Sequence, residues 1–180
     1  MAISPVQQHI VPLYHLELVR EKDIPYRNVA QVEAAAEVFH EMLDSAPIEK
    51  MAVIHCNSGM DMIGAEYVAV GSMEAVGAAM ADLYRGAIKN NAARIWMAHN
   101  HVDGRTKASP QDFGYSLRAL DAGDMLGVPL HDHLVIGPGS YYSIFSHPAD
   151  FEAGIRTLEL QAMSQMVRKG LGERFPKRHF

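Results

Sequence analysis

Residues 94–112 read Arg94-Ile95-Trp96-Met97-Ala98-His99-Asn100-His101-Val102-Asp103-Gly104-Arg105-Thr106-Lys107-Ala108-Ser109-Pro110-Gln111-Asp112, and the rest of the chain takes its meaning from them. The first five residues form an apolar run of the kind that makes a buried strand. On extended backbone, residues i and i+2 point to the same side. His99 and His101 can therefore offer two imidazole nitrogens to one ion. Ser109-Pro110-Gln111-Asp112 is a helix start, with serine at the N-cap, proline at the first helical position and an acid in the first turn. The seven residues between the two features include Gly104, which gives the helix start slack to fold back on the histidine strand. Two nitrogens and a carboxylate suit zinc at about 2.0–2.2 Å, with a fourth position open for water. Each residue also has a plainer reading. The histidines can be strand-surface residues, and Ser109 and Asp112 can be capping groups alone.

Outward from this stretch the chain alternates strands and helices. Lys50–Cys56 (KMAVIHC) reads as a strand, and the turn Asn57-Ser58-Gly59 leads to a second strand over 65–71. Residues 12–19 alternate in the manner of a strand. From Asn28, the positions Val29, Val32, Ala36, Phe39 and Leu43 follow helical spacing, which Pro47 stops. A helix is expected over 75–92. A hairpin is expected from 128–136 and 140–145 around Gly137-Pro138-Gly139. A last helical beat runs through Phe151, Ile155, Leu158, Ala162 and Met166. The expected fold class is α+β, a mixed β-sheet flanked by helices.

Composition sets the outer limits. The chain has 180 residues, 48% apolar and 21% charged, which excludes disorder and coiled coil and leaves room for one domain with a real core. No run of eighteen apolar residues is present, and the N-terminus lacks a signal-peptide pattern, so no membrane segment and a cytoplasmic location are expected. One cysteine, Cys56, permits no internal disulfide. The net charge of −5 disfavours a nucleic-acid partner, although Arg168, Lys169, Arg174, Lys177 and Arg178 gather near the end. Ten histidines, four of them in two His-x-His pairs, are the unusual feature.

His99-x-His101, seven residues, then Ser109-x-x-Asp112 resembles, without a gap, the JAMM motif of the MPN (JAB) metalloprotease domain. Other stretches are similar to its RadC-like branch: Ala122-Gly123 with Leu126-Gly127, Asp132-His133-Leu134-Val135-Ile136-Gly137 followed by Tyr142-Ser143, and Leu16-Glu17-Leu18-Val19-Arg20-Glu21. The resemblance implies a cytidine-deaminase-like mixed sheet, with a core over about 12–147, a C-terminal helix over about 150–170 and a basic tail at 171–180. It implies Zn2+ held by His99, His101 and Asp112. Glu49, just before the strand that follows the first helix, takes the place of the family's general base, and Ser109 that of the group bonding the oxyanion. The implied activity is hydrolysis of a peptide or isopeptide bond by zinc-activated water, on a peptide or protein-conjugate substrate, with a homodimer left open. The branch usually reads His-Asn-His-Pro-Ser-Gly, whereas here Val102-Asp103-Gly104 follows the histidines, which leaves substrate preference open.

The remaining candidates read as supporting residues. His131 and His133 are expected to point one way from their strand; a second metal site is one reading, and a structural role or a hydrogen bond that orients a ligand is the preferred one. Cys56 lies on the strand after Glu49, either facing the site or buried as a small hydrophobe. Glu33, Glu37 and Glu41 share an exposed helical face. Two other readings stand beside the hydrolase: an interaction module of the same fold that catalyses nothing, and the DNA-repair role by which RadC-like proteins are traditionally labelled. A zinc deaminase is disfavoured, because one cysteine cannot supply its Cys-x-x-Cys pair.

Overall fold

The computed structural model describes residues 19, 23–44, 46–71 and 79–168. Apart from Val19, the strand expected over 12–19 falls outside these residues, as does the basic tail. The described elements are α1 (Val32–Leu43), β1 (Lys50–Cys56), β2 (Met62–Val70), α2 (Met80–Lys89), β3 (Arg94–Asn100), α3 (Pro110–Leu126), β4 (Leu130–Gly137), β5 (Ser140–Ser143) and α4 (Pro148–Arg168). β2 begins three residues before the expected Ala65. The reason is a tight turn in which the Asn57 side chain accepts the amides of Gly59 and Asp61, at 2.9 and 3.0 Å.

The five strands form one mixed sheet in the order β2-β1-β3-β4-β5. β1 pairs antiparallel with both β2 and β3, β3 and β4 run parallel, and β5 returns antiparallel to β4. Parallel neighbours need a long crossover, and α3 supplies it. The start of α3 is thus tethered by a short loop to the C-terminal end of β3, where His99 and Asn100 lie.

Period-two alternation sorts the strand residues onto two faces. Ala52, Ile54, Cys56, Trp96, Ala98, Leu134 and Ile136 pack with Phe39 and Leu43 of α1. Met51, Val53, Ile95, Met97 and Leu130 pack with Leu83 and Tyr84 of α2 and with Tyr115 and Ala119 of α3. Each large apolar side chain so buried contributes about 1.5–3 kcal/mol relative to exposure. His99 falls in the alternation with Met97, on the face that carries α3. α4 lies close against α3: a Cβ on Gly154 would come within 2.1 Å of the Phe113 ring, so only glycine admits this approach. Among the described residues, no helix is long and apolar enough to cross a membrane.

Candidate metal centre

The loop after β3 and the first turn of α3 bring the predicted ligands together. His99 Nε2 lies 3.0 Å from His101 Nε2 and 3.3 Å from Asp112 Oδ1, and His101 Nε2 lies 3.5 Å from Asp112 Oδ2. One ligand atom from each of the three residues falls within 4.8 Å of the others. Ligands at about 2.05 Å in a tetrahedron stand about 3.3 Å apart, so two imidazoles and a carboxylate this close together fit a divalent cation such as zinc. His99 and Asp112 are buried, and His101 is half-buried.

Local sequence explains each placement. Asp112 sits at the third position of α3 in a full capping box. Its Oδ2 accepts the main-chain N–H of Ser109 at 2.6 Å and the Ser109 hydroxyl at 2.7 Å, while Ser109 Oγ caps the amide of Asp112 at 3.3 Å. The acid is therefore anchored by helix-start chemistry while Oδ1 faces His99. The capping and ligand readings describe the same side chain. His101 Nδ1 donates to the Arg105 carbonyl at 2.9 Å, which fixes that ring and leaves its Nε2 toward His99. Asp103 shapes the loop from within: it accepts the Arg105 amide at 3.0 Å and the Arg105 Nε–H at 2.6 Å. The loop closes onto β4 at Gly137, where a Cβ would meet the Gly104 carbonyl at 2.5 Å.

Electrostatics separates the three groups. Burial pushes the His99 imidazole down to about 4, against the raising influence of Asp112. The hydrogen bond to Asp112 holds His101 above the ordinary histidine value, with burial opposing. Burial would raise the Asp112 carboxyl, but the bonds from His101 and Ser109 hold it well below the usual carboxylate range. At neutral pH the centre is a carboxylate beside one neutral imidazole and one that retains its proton more strongly than usual. A cation binding here displaces that proton.

Glu49 precedes β1 and lines the same cavity of about 910 Å³ as His101, Ser109 and Asp112, with Lys107 and Arg118 further along its wall. Its negative charge acts on His99. Its main chain is held on three sides. Asn100 Nδ2 donates to the Ile48 carbonyl at 3.2 Å, Asn100 Oδ1 accepts the Lys50 amide at 2.8 Å, and the Glu49 carbonyl accepts the Gly71 amide at 2.8 Å. Sequence reading passed over Asn100. Its position between two ligands, one strand away from Glu49, was the available signal.

The second histidine pair departs from expectation. Ile95 pairs with Leu130 and Met97 with His133, so β4 carries one extra residue over this interval. The bulge turns His131 and His133 to opposite faces. His131 packs on Trp96 with ring centroids 4.5 Å apart, whereas His133 reaches His99, Nε2 to Nδ1, at 2.8 Å. Of the pair, only His133 makes a hydrogen bond with His99 among the described residues. Asp132 holds the bulge, its Oδ1 accepting the His133 amide at 2.6 Å and the Phe145 amide at 3.1 Å. Cys56 is fully buried in the α1-side core, paired with Arg94 at the far end of β3 from His99, and does not face the site. Burial raises its thiol to about 12. Glu33, Glu37 and Glu41 are exposed on α1, and Glu37 and Glu41 meet Arg27.

This sheet order, with a His-x-His strand end facing the capped start of a crossover helix, defines a JAB/MPN-type domain. The model of the RadC-like JAB domain matches residues 29–149, and the chain belongs to that family. It is 28% identical over 127 residues to a UPF0758 protein of Enterococcus faecalis, covering 71% of this chain and 55% of that protein. It is 32% identical over 111 residues to one from a Cyanothece species, covering 62% of this chain and 45% of that one. Against one from Alkaliphilus oremlandii the identity is 34% over 87 residues, covering 48% and 38%. The chain spans about half the length, or less, of these curated relatives.

Proposed function

We propose that the protein is a zinc-dependent hydrolase of amide bonds, a metallopeptidase or isopeptidase of the JAMM type. The observation that carries the proposal is the convergence of His99, His101 and Asp112 at tetrahedral ligand spacing, on the wall of a cavity that Glu49 and Ser109 also line. His99, His101 and Asp112 would hold the ion, which would supply activation of a water as nucleophile near neutral pH. Glu49 accepts a proton from the attacking water and passes it to the departing amine. Its main chain, held by Asn100 and Gly71, limits how far the carboxylate can wander. Ser109 turns its hydroxyl from Asp112 to the substrate oxygen as negative charge develops there, while its main-chain N–H keeps hold of Asp112. Loss of one such donor typically costs about 10²–10³ in rate. An extended peptide or the tail of a conjugated protein, lying in the cavity that Glu49, His101 and Ser109 line, is the proposed substrate.

The test is a screen of peptide and protein-conjugate substrates with zinc-loaded protein, together with Glu49→Gln. That variant should keep stoichiometric zinc, measured by elemental analysis, and lose turnover. Full activity in Glu49→Gln removes the acid/base assignment. Wild-type zinc far below stoichiometric removes the metal reading altogether.

A further inference from the structure

His99 has two ring nitrogens, and only Nε2 faces His101 and Asp112. Its Nδ1 meets His133 Nε2 at 2.8 Å, and His133 Nδ1 meets Ser116 Oγ at 2.7 Å. Ser116 Oγ in turn lies 2.8 Å from the main-chain oxygen of Asp112. His99, His133 and Ser116 are fully buried, so no bulk water stands in for a missing partner. The chain leaves a ligand residue and returns to the backbone of another.

One direction of these bonds satisfies all three contacts at once. A carbonyl only accepts, so the Ser116 hydroxyl gives its one proton to Asp112. Its oxygen then accepts from His133 Nδ1–H. A neutral imidazole carries one N–H, which makes His133 Nε2 an acceptor for His99 Nδ1–H. His99 Nε2 is left bare, with its lone pair directed at His101 and Asp112. The reverse order has Ser116 donating to His133, and it ends with a proton on His99 Nε2, where a metal ion must bind. His101 has no such alternative, because its Nδ1 is committed to the Arg105 carbonyl.

We propose that His133, held by Ser116, is a positioning residue that sets which nitrogen of His99 faces the site, and that binding of a divalent cation fixes the three-bond chain in the direction that bares Nε2. The inference rests on the metal reading above. It adds that His99 is ready only when its buried partners are correctly ordered, whereas the nitrogen that His101 presents is set by the Arg105 carbonyl alone.

The full chain is tested with zinc, by chelator competition and by nitrogen-15 NMR of the imidazole rings. Zinc-loaded wild type should show protons on Nδ1 of both His99 and His133. His133→Leu should bind zinc about 10–100-fold more weakly. His133→Gln, whose carboxamide oxygen can accept from His99, should recover most of that loss. Ser116→Ala should weaken zinc binding less than His133→Leu and leave His133 in a mixture of tautomers. Unchanged zinc affinity in folded His133→Leu overturns the inference, as does a zinc-loaded wild type with the His133 proton on Nε2. If the leucine variant does not fold, the Ser116→Ala affinity and the wild-type spectra decide alone. Wild type that takes up no zinc overturns the metal reading, and this inference with it, in an arm that needs no variant.

Discussion

His99-Asn100-His101 and His131-Asp132-His133 have the same spacing; the first closes β3 and runs one residue past it, and the second lies on the parallel neighbour β4. In the first, both rings turn to one side and their Nε2 atoms come within 3.0 Å. In the second, the bulge sends one ring to Trp96 and the other to His99. Spacing fixes relative direction only while the strand keeps its pleat. The residue between the histidines also differs in what it does. Asn100 reaches across to β1 and brackets Glu49, whereas Asp132 folds onto its own strand and holds the bulge.

The largest separation between the two triplets should appear in metal uptake. His101→Ala should abolish zinc binding and hydrolysis together, while His131→Ala should leave both at wild-type levels, by elemental analysis and turnover. Zinc retained in His101→Ala would erase the distinction between the pairs.

Acid titration of the metal-free protein should sharpen the contrast further. The unfolded chain protonates His99 near 6.5, but the folded chain does so only near 4. Stability from the neutral, buried ring is therefore complete above 6.5 and is lost as pH falls toward 4, by roughly 3 kcal/mol. Chemical denaturation across that window should show the slope in wild type and in His131→Ala. It should be reduced in His99→Gln.

Asn100→Ala should cost about 1–3 kcal/mol, because two main-chain groups lose their partner. It should also slow hydrolysis on the order of 10²-fold through a displaced Glu49, with zinc content unchanged. Equal rates in the variant and wild type would show that Glu49 needs no help from β3. The smallest effect belongs to His131→Ala, about 0.5–1.5 kcal/mol from the lost ring contact with Trp96, read as a modest fall in melting temperature.

The mixed sheet, its helices and the meeting of His99, His101 and Asp112 were legible because each rests on local rules. Apolar alternation marks β1 and β3, and Ser109-Pro110-x-Asp112 announces the start of α3. Glu49 and Ser109 were named from family resemblance, and both prove to line the ligand cavity. The bulge at 131–132 was illegible because an extra residue changes register against a partner strand, and one strand's own sequence carries no record of that. Ser116 escaped notice for a similar reason. It is an ordinary helix residue until the fold places it 2.7 Å from His133. The replacement of Pro-Ser by Val102-Asp103 after the histidines gains a structural meaning here, since Asp103 binds Arg105 and Arg105 supplies the carbonyl that orients His101.

The capping box of α3 uses the carboxylate that also faces the two imidazoles. A chain of this fold without catalytic activity would still gain from an acid at position 112 at the start of its third helix. Retention of Asp112 among distant cousins is therefore weak testimony of turnover, and the paired rings at 99 and 101, which no helix needs, are the better witnesses.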